Sequence, residues 1–169
     1  MQLITILGLA AAVASAKPTV YFIRHGEKPS GDGDGLSAQG MQRAQCLRNV
    51  FGAGSGYGIG YIMAQTPKSS GKRQRPLDTV KPLAADLGLG VDTSCDRDDP
   101  KCVKKAVKNY RGNGNILICW EHKALKDLAE ELGADNVDDY PSDHYDLIWV
   151  DQYPYSQINN VQTENCPGI

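Results

Sequence analysis

Apolar positions in this chain gather into short runs, and most of those runs are followed by polar, glycine- or proline-containing stretches. Residues 19–23, Thr-Val-Tyr-Phe-Ile, are β-branched and aromatic, which predicts a buried strand. Residues 61–64, 115–120 and 147–150 predict three more strands, and 115–120 is the most apolar after the first. Between them the spacing changes to that of a helix. Met41, Ala44, Leu47, Val50 and Phe51 share one face, with Ser37 placed to cap its N-terminus. Residues 76–87 predict a second helix with Pro76 in its first turn, a kink at Pro82 and Gly88 as its stop signal. Helices are also predicted over 101–110 and 124–132. The glycine-dense stretch 52–60 does not fit G-x-G-x-x-G and reads as a connection. Strands alternating with helices predict one α/β domain, a three-layer α/β/α sandwich with a mainly parallel sheet.

The N-terminus departs from this pattern. Residues 3–16 are almost wholly apolar, carry no charge and close in Ala14-Ser15-Ala16 before Lys17. That predicts a signal peptide over 1–16, cleaved after Ala16, and a secreted domain over 17–169. The run is short for a membrane span, and no later segment is long and apolar enough to cross a bilayer. Five cysteines suit an oxidising compartment. Cys95 and Cys102 flank a polar loop that a disulfide could close, while Cys46 and Cys166 could pin the C-terminal tail. Cys119 lies within an apolar strand and reads as a buried free thiol. Sequence alone does not fix this connectivity. No Asn-x-Ser/Thr sequon is present, so secretion without N-glycosylation is expected. The formal net charge of −2 supplies no global field for nucleic acid or an acidic membrane, so neither is expected as a partner. Any anion site must be local.

Arg24 and His25 stand where the first strand gives way to a loop. In open α/β sheets that is the end at which ligands bind. Gly26 lets the backbone approach a ligand closely. Arg75 opens a helix in Arg-Pro-Leu-Asp-Thr, and Glu121-His122 closes the strand 115–120. A parallel sheet places these strand ends along one edge. The segments Arg24-His25-Gly26-Glu27, Leu36-Ser37-Ala38-Gln39-Gly40, Arg75-Pro76-Leu77-Asp78-Thr79 and Ile116-Leu117-Ile118-Cys119 leading to His122 resemble those of the histidine phosphatase superfamily, in the same order. The resemblance implies a phosphoglycerate mutase-like fold. It also implies a phosphohistidine intermediate on His25, with Arg24, Arg75 and His122 as the rest of the phosphate pocket. The chemistry agrees. Arginine forks match phosphate oxygens and keep their charge, and they can do the charge work of a metal, so no metal or other cofactor is expected. The same cations should lower the pKa of His25.

The leaving oxygen of a phosphomonoester needs a proton. Acid phosphatases of the superfamily carry an Asp directly after the second histidine, where this chain has Lys123. Glu121 and Asp96 are the two candidate donors, with Asp98 and Asp99 in the same acidic segment. His144 reads as a rim residue. Zinc held by His25, His122, His144 and Glu121 lacks any ligand spacing to support it. The reading is thus a secreted phosphatase acting on small phosphomonoesters. The alternatives are a phosphate-ligand binding module of the same fold, a phosphomutase and a metal-dependent hydrolase. Lys28, Lys68, Lys72 and Arg73 could favour polyanionic substrates.

Overall fold

The computed structural model describes residues 16–31 and 33–169. The signal-peptide reading, apart from Ala16, lies outside the described residues. Ten elements follow in chain order: β1 (Val20–Arg24), α1 (Ala38–Val50), β2 (Ile59–Ala64), α2 (Arg75–Leu87), β3 (Val91–Asp92), α3 (Pro100–Asn109), β4 (Asn115–Trp120), α4 (His122–Leu132), β5 (Leu147–Asp151) and β6 (Asn160–Thr163). They form a six-stranded sheet in the order β3-β2-β4-β1-β5-β6. β3, β2, β4 and β1 are mutually parallel. β5 runs antiparallel to β1, and β6 antiparallel to β5.

The two-residue period of β4 divides the core. Ile116, Ile118 and Trp120 pack on one face with Val103 and Val107 of α3 and Leu125 and Leu128 of α4. Leu117 and Cys119 pack on the other with Leu47 of α1 and Val80 and Leu83 of α2. A sheet covered on both faces needs apolar side chains at every position of its inner strands, which is why β1 and β4 stand out in the sequence. The three-layer α/β/α sandwich with a mainly parallel sheet is therefore the observed architecture.

Several expectations need correction. α4 begins at His122, two residues earlier than its periodicity suggests, so His122 is the first residue of a helix. α2 continues as one helix through Pro82. β3 and β6 were absent from the apolar pattern. β6 is an edge strand of sequence Asn-Val-Gln-Thr with mostly exposed side chains, and it joins through its backbone. Ser37 caps α1 as expected, accepting a hydrogen bond from the Gly40 amide at 3.0 Å. The disulfides are Cys46–Cys166 and Cys95–Cys102, with Cα separations of 5.9 and 5.6 Å. Cys119 is a buried free thiol whose pKa burial pushes up. Among the described residues no helix is long and apolar enough to cross a membrane.

Asp151 closes β5 opposite Val20, at the sheet end remote from His25. Its side chain is fully buried, and neither carboxylate oxygen has a hydrogen-bond partner among the described residues. Burial pushes its pKa up to about 7, so the folded chain holds it protonated in mild acid. The unfolded chain releases that proton near its ordinary value of 3.8. Stability tied to the neutral form is therefore complete below that value and is lost as pH rises through about 7. Asp151→Asn is expected to flatten this loss. At pH 8 it should raise unfolding stability by at most about 4 kcal/mol, measured by urea denaturation across pH.

Candidate active site

The candidate site at the end of the sheet is assembled around one backbone junction, residues 25–27. The His25 amide donates to the Trp120 carbonyl at 3.0 Å, which ties the end of β1 to the end of β4. The Gly26 amide donates to Thr79 Oγ1 at 2.8 Å, and that hydroxyl donates to the Arg75 carbonyl at 2.7 Å. Thr79 thereby fixes the first turn of α2 against the His25 loop. From the other side α1 approaches so closely that a Cβ on Gly40 would lie 2.6 Å from the Glu27 carbonyl oxygen. A Cβ on Gly26 would in turn lie 3.1 Å from the Gly40 carbonyl oxygen. Gly40 is required by the Glu27 backbone, and Gly26 makes a tight fit against Gly40.

Beneath this junction lies a buried ion pair. Arg43 Nε and one terminal nitrogen each meet a Glu164 oxygen at 2.5 Å. The remaining terminal nitrogen donates to the His25 carbonyl at 3.3 Å. Arg43 is 1% exposed, so its charge depends on Glu164, and the pairing keeps it protonated. Glu164 comes from the C-terminal tail, which the Cys46–Cys166 disulfide holds onto α1.

His25 is buried, with Nδ1 2.7 Å from the Gly26 carbonyl. A carbonyl only accepts, so Nδ1 carries the proton, and the neutral ring presents Nε2 with its lone pair free. Burial, followed by the charges of Arg24 and Arg75, lowers the pKa of His25 to about 4, against the opposing pull of the Gly26 carbonyl and Glu121. At neutral pH the imidazole is unprotonated.

A cavity of about 200 Å³ opens at this residue, lined by His25, Gln65, Arg73, Arg75, Pro76, Arg97 and Glu121. Arg75 stands at the start of α2, its Nε donating to the Gly35 carbonyl at 3.0 Å and a terminal nitrogen to Gly33 at 2.5 Å. Arg24 lies beside His25 but outside this lining. One terminal nitrogen donates to the carbonyls of Ser142 and His144, and the guanidinium stacks 3.6 Å from the Tyr145 ring centroid. Its buried Nε has no partner among the described residues. His122 lines a neighbouring cavity of about 510 Å³ with Lys123, Tyr140 and Ser142. Its Nδ1 is 3.1 Å from Glu121 Oε1, without the geometry of a hydrogen bond. Burial and then the Arg24 charge lower its pKa, so it too is neutral near pH 7.

The two candidate proton donors differ sharply. Glu121 faces the cavity, and its Oε2 accepts from Arg97 Nε at 3.0 Å and from a second nitrogen of the same guanidinium. Burial acts to raise its pKa, but the Arg97 hydrogen bonds outweigh it and hold the carboxyl below its ordinary value. Asp96 is exposed and stands outside the lining. His144 is an exposed rim residue whose Nδ1 sits 3.0 Å from Asp146 Oδ1. Of the basic run, Arg73 reaches the cavity, whereas Lys28, Lys68 and Lys72 are exposed and away from it.

Sequence reasoning missed Arg97, Gln65, the Thr79 contacts and the Arg43–Glu164 pair. Two signals were available. Arg97 is the lone cation in the acidic stretch 92–99, and Gln65 directly follows β2, whose end lies on the same sheet edge as His25.

The fold is similar to that of solved histidine phosphatase structures. Among solved structures the chain is similar to the protein histidine phosphatase SixA complexed with tungstate, with a TM-score of 0.64 and 14% identity over 86% of this chain and 97% of that one. Two structures assigned as the phosphohistidine phosphatase SixA are also similar. For the one from Agrobacterium tumefaciens the TM-score is 0.53 at 12% identity, over 88% of this chain and 99% of that one. For the one from Nakamurella multipartitia it is 0.53 at 13% identity, over 88% and 96%. No protein-family model and no curated protein matches the chain.

The buried pair beneath the site gives a direct test. Glu164→Gln leaves the Arg43 charge buried without a counter-ion. It is expected to lower stability by about 3–5 kcal/mol in chemical denaturation.

Proposed function

We propose that this protein is a secreted, metal-independent phosphatase that works through a phosphohistidine on His25. One observation carries the reading: His25 is neutral, holds its Nδ1 proton on the Gly26 carbonyl, and opens with Nε2 free onto an arginine-lined cavity. Nε2 attacks phosphorus, a P–N bond forms, and the bond to the leaving group breaks. Water then attacks the same phosphorus, the P–N bond breaks, and inorganic phosphate leaves. Arg24, Arg75 and the N-terminus of α4, which begins at His122, offset the charge on the phosphoryl oxygens. His122 serves as a further donor to them. Secretion is supported by the apolar N-terminal run and by the two disulfides.

Glu121 remains the nearer of the two candidate acids, but Arg97 keeps it ionised, and an ionised carboxylate has no proton to give. That favours leaving groups that depart with little help: aryl phosphates, and phosphoramidates such as phosphohistidine. The similar structures bear the names of a protein histidine phosphatase and of phosphohistidine phosphatases.

His25→Ala is expected to lower turnover of an aryl phosphate by more than about 10³-fold, while EDTA leaves the wild type unaffected. Turnover that survives in His25→Ala removes the reading. In the wild type, kcat/KM is expected to fall as pH drops through about 4, where His25 becomes protonated. Side by side, a phosphoramidate should be hydrolysed at least about tenfold faster than a simple alkyl phosphate. Equal rates would require a working general acid.

A further inference from the structure

Three arginines line the cavity at His25, and two of them are held together by a carboxylate that lies mostly in water. Asp98 accepts from Arg73 at 3.1 Å through one oxygen and from Arg97 through the other, with its side chain 59% exposed. Arg97 also pairs with Glu121, which is far less exposed. The backbone that carries each arginine is held in place. The Arg97 carbonyl accepts from Trp120 Nε1 at 3.0 Å, and the Cys95–Cys102 disulfide closes its loop onto α3. Arg73 leaves a turn closed by Lys68 N to Lys72 O at 2.8 Å, and its own φ is 64°. A left-handed arginine is a costly conformation, and such strain is kept where a side chain must be aimed.

We propose that Arg73 and Arg97 form a second anion subsite beside the phosphoryl pocket, occupied in the free protein by Asp98. The ligand class is a compound with two phosphoryl or phosphonyl groups joined through one bridging atom. The proposal rests on the phosphatase reading for the role of the first group at His25. An exposed ion pair contributes little, whereas two guanidiniums on one phosphonate make charge-assisted, forked hydrogen bonds. The second group therefore displaces Asp98. The cavity of about 200 Å³ equals about seven water volumes, more than a lone phosphate fills. Lys28, Lys68 and Lys72 stand outside it and add only a diffuse field.

The test is calorimetric binding of methylenediphosphonate, which is not hydrolysed, against methylphosphonate. The wild type should bind the diphosphonate at least about tenfold more tightly. Arg73→Gln should bring that ratio close to one, and Asp98→Asn should raise it about threefold. Lys72→Gln removes an equal charge from the same turn and should leave most of the preference in place. A wild-type ratio near one overturns the proposal. So does a loss in Lys72→Gln equal to that in Arg73→Gln, or a ratio that does not rise in Asp98→Asn. Aryl phosphate turnover is measured on the same preparations. Preference without turnover keeps the subsite and removes the phosphatase reading, and turnover without preference does the reverse.

Discussion

The close approach of α1 and α2 to the backbone at residues 25–27 sets the geometry on which the candidate site depends. Gly40 can have no side chain, because the Glu27 carbonyl occupies that space, and Gly26 is packed tightly against Gly40 in turn. Thr79 completes the contact by accepting from the Gly26 amide and donating to the Arg75 carbonyl. With these three residues in place, the end of β1 and the start of α2 cannot move independently. His25 and Arg75 are then brought to one cavity by backbone packing rather than by attraction to each other, since a histidine and an arginine gain nothing from proximity. The site stores positive potential that the fold enforces and an anion relieves.

The charges are arranged so that little of that potential leaks away. Arg43 sits under His25, but Glu164 neutralises it, so the pair contributes structure without adding a net charge beneath that imidazole. Glu121 and Arg97 cancel in the same manner at the cavity wall. Among the described residues Arg24 and Arg75 have no side-chain carboxylate partner. Their charge, added to the burial of the ring, keeps His25 unprotonated far below neutral pH. The C-terminal tail takes part in this arrangement. Cys166 fastens it to α1 and Glu164 lies two residues earlier, so a segment remote in sequence supplies the counter-ion for the floor of the site.

The elements that were legible in the sequence share a physical cause. β1 and β4 are covered on both faces and must be apolar at every position, and the inner faces of α1, α2 and α4 repeat at helical spacing. β6 escaped notice because an edge strand needs only its backbone to join a sheet. β3 is two residues long and has no period to show. His122 looked like a strand end because helix α4 begins with polar residues, and its apolar face starts only at Ala124. Gly26, Gly40, Arg75 and Thr79 were visible as members of short segments, while the contacts that need them were not.

By itself the sequence determined the layered α/β architecture, the strand-end placement of Arg24 and His25, and Arg75 at the head of a helix. These follow from local periodicity and from short motifs, which act over a few residues. Tertiary structure alone decided which charges neutralise each other. The pairing of Arg43 with Glu164 spans 121 positions, and that of Arg97 with Glu121 spans 24. It also left Asp151 buried without a partner among the described residues. An isolated carboxylate carries no mark of its eventual surroundings. Whether it becomes a proton donor, a counter-ion or a buried neutral acid depends on desolvation and on neighbours that only the folded chain supplies.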